Sequence, residues 1–187
     1  MKTVFMTFAL FLGAAVHGQA QDWHYEVNDY GLRSITGSMQ AGCLGKSLSA
    51  TLRIVCQPAK RGFTGFEIAL HRVDQVPQFH FDQFEGPDAP GGDMELKIST
   101  PTVSKTFHLC PNGSYGPSDA NDFTFSAEDF TSSKASIPKK VLGMLAKPEA
   151  KLTVTISDPK APSQKIILQV PENIPREQLK SLLTGIR

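Results

Sequence analysis

Lys151–Val170 reads KLTVTISDPKAPSQKIILQV: two runs of alternating apolar and polar residues on either side of the turn formers Asp-Pro-Lys-Ala-Pro-Ser. A period of two places Leu152, Val154 and Ile156 on one face and, beyond the turn, Ile166, Leu168 and Val170 on one face. A helix would need apolar positions three and four apart. The segment is a β-hairpin by this reading. The same period recurs in Trp23–Val27, Leu32–Ser38, Ser49–Cys56, Gly65–Val73, Gln78–Phe84, Met94–Ser99, Ser104–Cys110 and Asp122–Ala127, with Gly, Pro and Asp clusters between them. About ten short strands separated by turn signals predict an all-β fold, an antiparallel β-sandwich.

Two segments break the period. SIPKKVLGMLAKP starts a helix at Ser136 as N-cap, buries Val141, Leu142 and Leu145, and stops before Pro148. ENIPREQLKSLLTGIR sets Leu179, Leu182, Leu183 and Ile186 on one stripe, with Glu172 or Asn173 near its start. Both read as short amphipathic helices docked on the sheets.

The N-terminus, MKTVFMTFALFLGAAVHGQAQ, has the charge, apolar run and small-residue tail of a secretory signal, with Gly18 and Ala20 fitting a cleavage site. The run of about 13 apolar residues is short of the roughly 20 that span a bilayer. The expected organisation is a cleaved signal over residues 1–20 and one β-sandwich domain over 21–187. Export to a bacterial periplasm is the first expectation, and secretion the other. Gln40–Cys43, QAGC, lies too far downstream and has the wrong first residue for a lipidation box.

Beyond the signal the chain is formally neutral, which argues against nucleic acid as partner. Asp22–Ser133 holds 8 basic and 14 acidic residues, and Lys134–Arg187 holds 10 and 4. Strands of the two halves interleaving in one domain would cancel this asymmetry. A basic face including Lys139, Lys140 and Lys147 would otherwise suit an acidic partner.

Three cysteines in an exported chain predict one disulfide and one spare thiol. Cys43 and Cys110 lie in turn-like sequence and form the favoured pair; Cys56–Cys110 and Cys43–Cys56 are the alternatives, and the alternation around Cys56 suits a small core residue.

No catalytic pattern stands out. His24, His71, His80 and His108 occur singly, without zinc spacing. In QFHFDQFEGPDAPGGD the strand reading turns Phe79 and Phe81 inward and leaves His80 and Asp82 in water, and the acids that follow do not match a calcium loop. The G-x-S-x-G elbow is absent. Asp119 with Asp122, and Glu128 with Asp129, read as loop acids. Neither a metal nor a cofactor is expected.

The segment CPNGSYGPSDANDF, Cys110–Phe123, is rich in turn formers, and loops on a rigid scaffold commonly carry binding. Asn112, Ser114 and Tyr115 are its candidate contact residues, and Asn112 begins a glycosylation sequon. The order of strands, late LTVTISDP hairpin and terminal amphipathic helix loosely resembles small bacterial periplasmic β-sandwich proteins, some accessory to secretion systems. The likeness includes no motif from which a residue's role is carried over. The expected function is a non-catalytic binding or accessory protein that engages a protein or cell-envelope partner through its loops. A hydrolase with a spatially assembled site and a carrier of small apolar ligands are the alternatives.

Overall fold

A computed structural model of the chain describes residues 23–57, 64–86, 89, 91–116, 121–129 and 137–184. The signal reading, the Ser136 cap, Asp119 and Ile186 fall outside them. The described residues form ten strands: β1 Trp23–Val27, β2 Arg33–Cys43, β3 Lys46–Cys56, β4 Thr64–Leu70, β5 Asp93–Ser99, β6 Ser104–Leu109, β7 Asn112–Tyr115, β8 Phe123–Asp129, β9 Lys151–Ser157 and β10 Lys165–Val170. Two helices accompany them, α1 Ile137–Leu145 and α2 Arg176–Thr184. All pairings of strands are antiparallel.

The strand order is β6-β5-β9-β10-β2-β3-β4-β8-β7, with β1 also on β2. The long β2–β3 hairpin is the spine. Its β2 edge is shared, because β1 pairs with Arg33–Gly37 while β10 pairs with Ala41–Cys43. The path's two ends, β6 and β7, are joined by only Cys110 and Pro111. Three Cα–Cα steps cover at most about 11 Å, so the sheet must curl until its ends approach. The result is an all-β half-barrel whose two wings face each other across one core in the manner of a sandwich.

The opening hairpin sets the rows of that core. Ile156 lies between Ile166 and Met94, Val154 between Leu168 and Leu96, and Leu152 between Val170 and Ile98, all buried. A slip of one residue would turn each row to water. β9 and β10 come from the basic half of the chain and sit between β5 and β2 of the acidic half, so the charges interleave.

α1 touches β4 and β8 on one wing and β5 and β6 on the other, bridging the seam with Pro138, Val141, Leu142 and Leu145 buried. α2 packs on β2, β3 and α1, where Arg33 Nη1 donates to Ser181 O at 2.8 Å. Phe79, Phe81, Phe84, Phe123 and Phe125 form an aromatic cluster, with Phe84 edge-on to Phe125 at 4.9 Å and Phe81 at 5.0 Å from Phe123. Each such pair adds about 0.5–1.5 kcal/mol beyond the area it buries.

Two expectations are corrected. Gln78–Phe84 is not a strand; Phe81–Phe84 forms a 3-10 turn. Spacing of three puts Phe81 and Phe84 on one face, and both are buried with Phe79. Asn112–Tyr115, read as loop, is a strand paired to β8.

The Cys43–Cys110 disulfide is also corrected: Cys43, Cys56 and Cys110 are all unpaired. Cys43 opposes Ile166, then Ile156, Met94 and Leu109 along one row. Four strand spacings, about 19 Å along the sheet, separate it from the neighbour of Cys110, whereas a disulfide needs Cα atoms within about 7 Å. Cys56 lies at the other end of the β2–β3 hairpin from Cys43. Iodoacetamide is therefore expected to label only the exposed Cys110 in the native protein, with Cys43 and Cys56 reacting after unfolding. A native protein with no reactive thiol would restore the disulfide.

Candidate functional site

The end of the barrel that carries the β2–β3 turn is built by three chain segments. They are the turn itself at Leu44 and Gly45, the crossing from Val73 to Phe84, and the β9–β10 turn from Asp158 to Gln164. Asp158 ties the second to the third. Its carboxylate is fully buried, accepts the His80 N–H at 2.9 Å and lies 2.8 Å from His80 Nδ1 through Oδ2. Oδ1 accepts the N–H groups of Lys160 at 2.9 Å and Ala161 at 3.2 Å. A carboxylate only accepts, so His80 presents Nδ1–H to it. Burial by itself would raise this carboxyl's pKa. The His80 backbone and ring hydrogen bonds, with those of Lys160 and Ala161, outweigh burial and hold it below the usual range. Lys160 Nζ, 3.6 Å from Asp82, adds a weak exposed tie between the same two segments.

Against this clamp lies a cleft of about 260 Å³ lined by Leu44, Lys46, Gln75, Val76, Gln78 and Gln164. Leu44 is 43% exposed with φ of 50° and is followed by Gly45 at 75°. Both central residues of such a two-residue hairpin turn need positive φ, for which Asn-Gly is the favoured choice. An apolar side chain held at this position without burial breaks the local preference, as functional sites commonly do. The polar lining is unspent. Among the described residues, Lys46, Gln75 and Gln78 have no side-chain hydrogen bond or ion pair, and the buried Gln164 Oε1 has no donor.

A second cleft, about 350 Å³, is lined by Ser99, Thr100, Pro101, Glu149, Lys151 and Glu172. Its main charges already pair, Lys151 Nζ lying 2.6 Å from Glu172 Oε1.

The expected contact residues lie on β7. Tyr115 is 36% exposed and sets its ring edge-on against Phe123 at 4.9 Å. Burial, and after it the negative charges of Glu85 and Asp82, push its phenol above the ordinary value. Asn112 and Ser114 are exposed, and Glu85 bridges to Gly113 along the outer edge of β7. Tyr115 is therefore both a wall of the aromatic cluster and a partly free surface.

The histidines do not converge. His71 pairs with Asp122 at 2.9 Å, His80 with Asp158, and His108 with Asp93 at 2.9 Å, while His24 is exposed on β1. Among the described residues no three His, Cys, Asp or Glu side chains are grouped to hold a metal. Cys43 is near enough to Asp158 to feel its charge, and burial together with that charge pushes its thiol up to about 11. This is the reverse of an activated nucleophile. No hydrogen bond joins Cys43 to His80 among the described residues.

Sequence reasoning missed both Asp158 and the cleft. The Asx-turn half of Asp158 was legible in Asp-Pro-Lys-Ala, since Asp side chains accept from backbone two and three residues on. Its tie to His80, 78 residues away, leaves no local signal. No described helix is long and apolar enough to cross a membrane. Comparisons of the chain with protein-family models, with curated proteins and with solved structures find no match.

Proposed function

We propose that this is an exported, non-catalytic binding protein that engages a protein or cell-envelope partner at the turn-built end of its half-barrel. The observation that carries the reading is the unspent polar lining beside a rigid clamp. Lys46, Gln75, Gln78 and Gln164 converge on one cleft without protein partners, while the Asp158 network fixes two of the segments that present them. Lys46, Gln75 and Gln78 are exposed and held by water alone in the free protein, so a ligand can take up their hydrogen bonds without breaking any within the protein. The fixed backbone beneath Gln78 and Gln164 lowers the ordering cost of binding. Export rests on the N-terminal sequence alone.

A photocrosslinking residue introduced at Gln78, in protein expressed in its own compartment, is expected to give a discrete adduct. The same residue at Thr100, in the second cleft, is expected to give none. Equal capture at both positions, or capture at Thr100 alone, would remove this assignment. A second reading places the contact on β7, favoured by the partly exposed ring of Tyr115 beside Asn112 and Ser114. Loss of the Gln78 adduct in Tyr115→Ala would extend the surface to β7; an unchanged adduct would leave Tyr115 a packing residue.

A further inference from the structure

The chemistry of the cleft lining restricts what it can hold. Its one cation is Lys46, and no carboxylate lines it. The acids nearby are already engaged: Asp158 with four donors, Asp82 with Lys160 and Asp74 with Arg72. A single ammonium matches a single negative charge. Phosphate or sulfate sites commonly recruit an Arg fork or several backbone N–H groups as well. Each of the three carboxamides both donates and accepts. The groups that reciprocate from one small ring are adjacent hydroxyls, which also do both. Leu44, exposed at the turn, supplies an aliphatic surface for the C–H face of such a ring. The volume, about 260 Å³, is just below the roughly 300 Å³ at which drug-sized sites begin, and so suits one ring. An extended peptide is bound along a free strand edge or an elongated groove, and here the walls are turns.

We infer that the cleft is a subsite for a carboxylate-bearing saccharide unit of the uronic acid type, Lys46 meeting the carboxylate and Gln75, Gln78 and Gln164 the flanking hydroxyls. This rests on the binding reading above and specifies its ligand. The acid comes either as a free sugar acid or as one unit of an acidic polysaccharide.

The test uses the full mature chain labelled with ¹⁵N, titrated with D-glucuronate, a short oligogalacturonate and D-glucose while the Gln side-chain amide signals are followed. The acids are expected to shift the signals of Gln75, Gln78 and Gln164 and to bind about tenfold more tightly than glucose. Lys46→Gln, at an exposed position, is expected to erase that preference with the unfolding midpoint unchanged, while Lys105→Gln on β6 leaves it intact. Tighter binding of the oligomer than of the monomer identifies a polysaccharide source, and equal affinity a free sugar acid. Acids that leave the three glutamines unmoved, or that bind Lys46→Gln as well as the natural protein, overturn the inference. If an acidic peptide moves the same signals when the sugars do not, the ligand class fails and the binding role stands. Silence from every probe, together with no adduct at Gln78, removes both.

Discussion

Asp158→Ala is expected to lower the unfolding free energy by about 4 kcal/mol in urea titrations at pH 7. The substitution deletes an acceptor for four donors at a fully buried point, and leaves the His80 backbone N–H without its partner. The same network predicts a pH dependence of definite sign. The folded carboxyl is held below the usual range, because the hydrogen bonds from His80, Lys160 and Ala161 outweigh the effect of burial. Its contribution is therefore complete above the unfolded pKa of about 3.9 and is lost as pH falls from there toward the lowered folded value. Asp158→Asn cannot titrate, so its stability should fall less steeply than that of the natural protein below about pH 4. Parallel acid limbs for the two proteins would show that the folded carboxyl is not held below its unfolded value. Because the clamp joins the segments bearing Gln78 and Gln164, Asp158→Ala should also abolish the adduct at Gln78.

Gly113→Ala is expected to cost about 3 kcal/mol, at the upper end for one methyl forced into a packed core. A Cβ at Gly113 would lie 2.3 and 2.4 Å from two carbons of the Phe123 ring and 3.1 Å from Phe84 Cβ. Phe123 and Phe84 are fully buried within the aromatic cluster, so neither can give way. A fall in Tm of roughly 10 °C is the corresponding thermal readout for a chain of this size. Gly143→Ala is the control, because nothing lies within 4 Å of its Cβ position on α1. There, helix propensity favours the alanine by about 0.5–1 kcal/mol, and stability should rise. A Gly113→Ala protein as stable as the natural one would mean that β7 does not lie on the phenylalanine cluster as described.

Gly113 also shows why local reading misjudged its segment. Asn-Gly-Ser between a Pro and a Tyr-Gly has the composition of a turn, and the glycine suggests conformational freedom. In the structure it is needed for close approach, because only a residue without Cβ lets β7 lie over Phe123. Gln78–Phe84 erred in the opposite direction. Its alternating phenylalanines resemble a strand, yet a turn closed by Phe79 N–H on Val76 O and the 3-10 turn Phe81–Phe84 bury Phe79, Phe81 and Phe84 together, and Asp158 takes the His80 N–H that a ladder would have used. The disulfide expectation counted cysteines and loop lengths, neither of which reports that Cys43 and Cys110 stand four strands apart.

The sequence by itself determined the class of the fold, most of its strands and both helices. A buried face imprints its period on neighbouring residues, and that imprint is local. The hairpin Lys151–Val170 even contained the alternation that sets the core rows on β5, β9 and β10. Only the tertiary structure decided which strands close the curl, which thiols stay apart and where the candidate cleft lies. Its walls come from Leu44, Lys46, Gln75, Val76, Gln78 and Gln164, and Asp158 meets His80 from a distant turn. Those positions are joined by sheet curvature and by one buried carboxylate, and a relation between remote residues has no period for a sequence to carry.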